Sequence, residues 1–201
     1  MIDIRAQLDA IRREVSTSGE SVSVHLTRSY DSPVEEVWDA ITEPERIARW
    51  LYPISGDLRV GGSFQLEGNA GGDILECEPP NRLKVTFGGP TSHVELRLTS
   101  NASGDTVFDL EHTVPLEMAG SGAGALFVGP GWDGALMSLG LYLQGHVAED
   151  PVAAASSPEA LEFSKQSVDV WTEVVDASGT ATPDQVAVAR DMSLTQFAPE
   201  G

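Results

Sequence analysis

Four histidines, one cysteine and a glycine-rich GPGWDG segment hold most of the chemistry this sequence can offer. His112 is the most informative of them. It shares one face of an alternating run with Phe108 and Leu110, while Asp109, Glu111 and Thr113 take the other. A largely apolar strand face therefore carries one imidazole. In its neutral form that group can orient a carbonyl or hydroxyl, or act as a general base. The alternative is a histidine that simply hydrogen-bonds where it stands, as single polar groups in apolar surroundings mostly do. No carboxylate is visibly placed to pair with it. His25 and His93 fall on the polar faces of their strands, and His146 near the end of a long helix. Without HxH or HExxH spacing, no metal site is expected.

Cys77 lies between Glu76 and Glu78, whose charges should raise its thiol pKa rather than create a nucleophile. A single cysteine permits neither an internal disulfide nor a thiolate metal cluster. Gly129-Pro130-Gly131-Trp132-Asp133-Gly134 formally fits G-x-G-x-x-G. No strand–helix–strand unit surrounds it and no acidic residue follows in the required context, which excludes a dinucleotide site. Its glycines read instead as a flexible hinge before a helix. P-loop and G-x-S-x-G patterns are absent. No catalytic residue and no cofactor is assigned.

Several elements must position these groups. Ile4, Leu8, Ile11 and Val15 recur at helical spacing, predicting an amphipathic helix over residues 2–15, with a connector to residue 20. Val22, Val24 and Leu26 alternate with Ser23, His25 and Thr27 in a half-buried strand that keeps Arg28 in the inward phase. Ser32, Pro33 and Glu35 read as a capping box for a helix with Val34, Val37, Trp38 and Ile41. Thr42 and Pro44 start a second short helix with Ile47, Trp50 and Leu51. Short strands follow at Leu58–Val60, Ser63–Glu67, Asp73–Glu78, Leu83–Phe87, Val94–Leu98 and Val107–Val114, separated by Gly, Pro and Asn turns. They read as an antiparallel meander with one wet face.

A glycine-rich loop at 119–131 leads to a helix over about 132–147. Trp132, Leu136, Leu139 and Leu143 form its main stripe, with Met137, Leu141 and Tyr142 beside it, so the helix needs a second cover. A tail helix placing Ala160, Phe163, Val170, Trp171 and Val174 on one face can supply it, and a last helix runs from about Pro183 to Phe197. A homodimer contact is the competing explanation.

Thirty-one acidic against twelve basic residues give a net charge of −19. That balance opposes polyanions, so neither nucleic acid nor an anionic membrane is expected as a partner. The acidity reads as a solvated surface. No secretory leader or membrane-length apolar stretch is visible, and a cytoplasmic protein is expected. The Asn101-Ala102-Ser103 sequon is then fortuitous.

The order strand, two short helices, meander, long helix is carried by SPVEEVWDAITEPERIARWLYP at 32–53, DLRVGGSF at 57–64 and ILECEPPNRLKVTF at 74–87. VELRLTSNASGDTVFDLEHT at 94–113 and GPGWDGALMSLGLYL at 129–143 complete it. On these motifs the sequence resembles the SRPBCC (START-like) superfamily, and within it the homologues of the activator of heat-shock-protein-90 ATPase. The resemblance implies an α+β helix-grip fold, with a curved antiparallel sheet wrapped around a long C-terminal helix. It divides the chain into an N-terminal segment (1–20), the START-like domain (21–148) and a helical extension (149–201).

It also implies an apolar cavity between sheet and helix, and no shared catalytic residue. Trp50, Phe64, Phe87, Phe108, His112, Trp132, Leu136 and Leu139 are the residues expected at its wall, with Trp38 kept for packing. The expected function is binding of a small, largely hydrophobic molecule. A polyketide cyclase or aromatase-like enzyme and a co-chaperone-like interaction module are the rivals, since this fold hosts all three.

Overall fold

A computed structural model describes residues 2–199. In chain order the elements are α1 (Ile4–Asp9), β1 (Ile11–Ser18), β2 (Ser21–Tyr30), α2 (Val34–Thr42), α3 (Pro44–Ile47), β3 (Ile54–Gly56), β4 (Ser63–Leu66) and β5 (Gly71–Glu78). There follow β6 (Arg82–Thr86), β7 (His93–Ser100), β8 (Thr106–Pro115), α4 (Leu116–Ala119) and a 3-10 segment (Gly122–Phe127). The chain ends in α5 (Gly129–Leu143), α6 (Pro151–Ala154), α7 (Pro158–Ser178) and α8 (Pro183–Phe197). The strands form one antiparallel sheet in the order β1-β2-β8-β7-β6-β5-β4-β3. This is the expected α+β helix-grip arrangement, extended by further helices at the C-terminus.

The N-terminus differs from the expectation. Helix α1 ends at Asp9, and Ile11–Ser18 is an edge strand rather than a continuation of the helix. Ile11 and Val15 are both buried, and a spacing of four puts two side chains on one side of a strand as well as of a helix. What settles the matter is the turn. Gly19 takes φ +59°, a conformation glycine adopts without penalty, and it lets β1 fold back onto β2.

The capping box also fails, because α2 starts from Pro33 with no side-chain cap. Ser32 instead offers its carbonyl to the Thr106 hydroxyl at 2.7 Å. Leu58–Val60 is a turn, not a strand: Arg59 N–H donates to Asp57 O and Gly62 N–H to Arg59 O.

By internal contacts the chain divides into two compact units of interleaved segments. The first contains Met1–Leu26, Thr113–Met137 and Ala153–Gly201. Its centre is Phe163, Val168, Trp171 and Val175 of α7, all wholly buried, with Leu126 of the 3-10 segment. The expected face of α7 is therefore rotated: Ser167 and Val168 lie inward, whereas Val170 and Val174 are half-buried flanks.

A buried charge explains the rotation. Asp133 of α5 is wholly buried and accepts from Arg13 Nε of β1, 3.0 Å from each carboxylate oxygen. The Ser167 hydroxyl at 2.5 Å and the Trp171 indole N–H at 3.0 Å donate to the same carboxylate. Arg13 also donates from Nη1 to the carbonyls of Leu8 and Ile11. One carboxylate thus ties α1, β1, α5 and α7 together.

The glycines expected as a hinge serve this packing instead. A Cβ on Gly129 would collide with the Trp171 indole, and one on Gly122 with Thr180. A Cβ on Gly131 would stand 3.2 Å from the Phe197 ring. At Gly122 and Gly129 another element passes too close for a side chain, whereas at Gly131 the Phe197 ring would have to give way slightly.

The second unit contains Thr27–His112 and Ser138–Val152. Antiparallel pairs such as Val85↔Val94 (β6/β7) and Ile74↔Val85 (β5/β6) set its register. Val37, Trp38 and Ala40 bury one face of α2, so Trp38 is the packing residue expected. Arg28 is buried in the inward phase, its guanidinium 5.2 Å from the Tyr30 ring centre. On α5, Tyr142 accepts a hydrogen bond from Arg46 Nε at 3.1 Å and lies under the guanidinium groups of Arg46 and Arg49.

Candidate functional site

The alternation along β8 places Phe108, Leu110 and His112 inward, at 3%, 2% and 4% exposure, as the sequence predicts. The β6–β7 connection meets His112 there. Phe87 N–H donates to Ser92 O at 2.9 Å and Ser92 N–H to Gly89 O at 3.3 Å, which closes a tight turn. This turn brings the Ser92 hydroxyl to 2.8 Å from His112 Nε2, and Ser92 is itself buried. Phe87 meets the imidazole edge-on, with centroids 5.9 Å apart and planes at 76°, and Phe64 of β4 lies 6.4 Å from Phe87. A serine–histidine pair therefore stands at one end of a row of aromatic rings.

Of the residues expected from the sequence, Phe64, Phe87 and His112 are brought into this row. Phe108 packs edge-on against Tyr30 at 6.0 Å. Trp50 is half-buried and its indole N–H donates to Ala40 O at 2.9 Å, which braces the end of α3 on α2. Leu139 is buried in the same unit; Trp132, half-buried, and Leu136, buried, belong to the first unit. Ser92 is the residue sequence reasoning missed. It lies between a Gly-Gly-Pro turn and a strand, where no periodicity marks a side chain as inward.

Burial pushes the His112 imidazole down from 6.5 to about 4, with the nearby His93 adding to the effect. His112 is thus uncharged at neutral pH. In the unfolded chain it takes up a proton as pH falls through 6.5, and in the folded protein only near 4. Its neutral form costs the fold nothing above pH 6.5, and stability drains away as pH falls from 6.5 to about 4. His112→Phe should remove this part of the acid sensitivity. Between pH 7 and 4.5, urea unfolding should show the wild type losing about 2 kcal/mol more than the variant, the carboxylates common to both cancelling. Equal losses would show that the imidazole is not held neutral by burial.

Cys77 has its thiol pKa raised, the direction expected from Glu76 and Glu78, but the cause is burial. Glu76 is paired with Arg82 at 2.6 Å. Among the described residues no group of three or more His, Cys, Asp or Glu side chains could hold a metal ion. No helix among them is long and apolar enough to cross a membrane.

Comparison with known proteins adds the following. The family model described as Activator of Hsp90 ATPase homolog 1-like protein matches residues 31–144. CalU16 from Micromonospora echinospora is 39% identical, with a TM-score of 0.67 over 83% of this chain and 99% of its own. DynU16, a protein of the dynemicin biosynthetic locus, is 26% identical, with a TM-score of 0.54 over 67% of this chain and 49% of its own. The Aha1 dimer from Colwellia psychrerythraea, at 15% identity and a TM-score of 0.50, covers 62% of this chain and 97% of its own, and shares the fold alone. Nothing among curated proteins matches the chain.

Proposed function

Because the chain belongs to the Activator of Hsp90 ATPase homolog 1-like family, we propose that it binds a small, largely apolar molecule on the inward sheet face that carries His112. Phe64, Phe87 and Phe108 would supply apolar contact, and His112 with Ser92 would set the ligand's orientation. One observation carries this reading: a buried, uncharged hydrogen-bonding pair placed at the end of a row of aromatic rings. The same observation weighs against proton abstraction. A general base works best with a pKa near the working pH, and an imidazole held at about 4 is too weak a base at pH 7. Similarity to a protein of the dynemicin biosynthetic locus also supports a small molecule as the ligand.

Thermal-shift screening against lipids, flavonoids and polyketide-like aromatics should find stabilising compounds. A ligand at a hundred times its Kd stabilises the native state by about 2.7 kcal/mol, well within detection. Hits should lose affinity in Ser92→Ala and His112→Phe proteins. Silence across the panel, together with stimulation of a heat-shock ATPase by the same protein, would replace this reading with the interaction-module one.

A further inference from the structure

The Ser92–His112 pair also bears on what kind of polar group a ligand should bring. Both members are uncharged at neutral pH, and one hydrogen bond joins Oγ and Nε2, 2.8 Å apart, its direction set by the His112 tautomer. With the imidazole proton on Nδ1, the serine hydroxyl donates to Nε2 and Oγ still accepts from a ligand hydroxyl. With Nε2 protonated, the imidazole donates to Oγ and the serine hydroxyl is released to donate to a ligand carbonyl. Either tautomer gives a neutral partner for a neutral group.

A carboxylate fares differently. It would have to shed water beside a neutral imidazole and the ring of Phe87, and an ion desolvated without a counter-charge is strongly disfavoured. The cations of this unit have partners of their own: Arg28, buried in the inward phase, lies over Tyr30, Arg46 and Arg49 lie over Tyr142, Arg59 pairs with Asp57, and Arg82, Lys84 and Arg97 pair with Glu95. The net charge of −19 opposes anions in the same direction.

We propose that the site takes uncharged aromatic molecules bearing a hydroxyl or keto group, with that group hydrogen-bonded to the Ser92–His112 pair, and rejects their carboxylate analogues. This inference rests on the binding function proposed above, and three probes of one shape separate the two. Naphthalene, 2-naphthol and 2-naphthoate are titrated calorimetrically into the full chain at pH 7, where naphthol is neutral and naphthoate ionised. Naphthol should bind roughly three- to tenfold more tightly than naphthalene, the worth of one net hydrogen bond. Naphthoate should bind at least about tenfold more weakly than naphthol.

In Ser92→Ala and His112→Phe proteins, checked for native circular dichroism, the advantage of naphthol over naphthalene, taken as the ratio of their affinities for the same protein, should disappear. Serine to alanine removes one oxygen and keeps the turn, so a folding failure of His112→Phe leaves the test intact. If naphthoate matches naphthol, or the naphthol advantage survives Ser92→Ala, the inference is overturned while the binding function stands. If none of the three binds, the inference is overturned, and the thermal-shift panel decides the binding function separately.

Discussion

Replacing Asp133 with alanine should destabilise the protein by about 3–5 kcal/mol, the cost of breaking a buried ion pair from one side. The geometry explains why the loss is large. Asp133 is fully buried and receives donors from Arg13, Ser167 and Trp171, so its removal strands three donors at once. The Arg13 side chain is only 5% exposed and would keep its charge with no carboxylate to answer it. Burial raises the Asp133 carboxyl above the ordinary range, and those same three partners oppose the shift without cancelling it.

The cause of the loss can be separated from its size. If the uncompensated arginine dominates, Arg13→Met combined with Asp133→Leu should recover a good part of the stability, because a buried pair replaced by apolar groups is often nearly neutral. Denaturant unfolding of the two variants measures both quantities. A loss under about 1 kcal/mol for Asp133→Ala would place the network among surface-type ion pairs and sink the argument.

The fate of Asp133 shows what a sequence reveals and what it hides. His112, Phe108 and Leu110 were legible because strand side chains alternate, and burial makes that alternation strict. Arg28 was legible as buried for the same reason. Ser92, the histidine's partner, was not, because it stands in a turn where direction depends on the backbone bonds of Phe87 and Gly89. The helix expected over residues 2–15 failed at Ile11, where a spacing of four fits both helix and strand and only the Gly19 turn decides. The inward face of α7 was misjudged by about one position because apolar residues alone were counted. Ser167 belongs inside through its bond to Asp133, a partner thirty-four residues away that no local pattern announces.

The same distant packing bears on how much of the chain is the domain. The family model stops at residue 144, which would leave α7 and α8 as an appendage. CalU16, however, aligns over 83% of this chain, a share larger than residues 31–144 alone can supply. The structure agrees that residues beyond the family match belong to the fold. Gly122 and Gly129 lie before and at the start of α5, yet both are shaped by residues of the tail, Thr180 and Trp171. Ser193 of α8 donates to Leu126 O at 2.6 Å, which fastens the last helix to the 3-10 segment.

Deleting residues 157–201 should therefore do more than trim a terminus; the remaining chain should lose cooperative unfolding or fail to accumulate as a monomer. The loss removes Phe163, Val168, Trp171 and Val175, each wholly buried. At about 1.5–3 kcal/mol per large apolar side chain, their burial is worth on the order of 10 kcal/mol before entropy is subtracted. That rivals the 5–15 kcal/mol by which whole domains are stable. The deletion also exposes Leu126 and leaves the Arg13–Asp133 pair without two of its donors. Size-exclusion chromatography and a thermal melt decide the matter. A monomeric truncation melting within a few degrees of the full chain would show that α7 and α8 are a dispensable cover. An aggregated or non-cooperative one would show that the unit built on β1, the 3-10 segment and α7 needs its tail to fold.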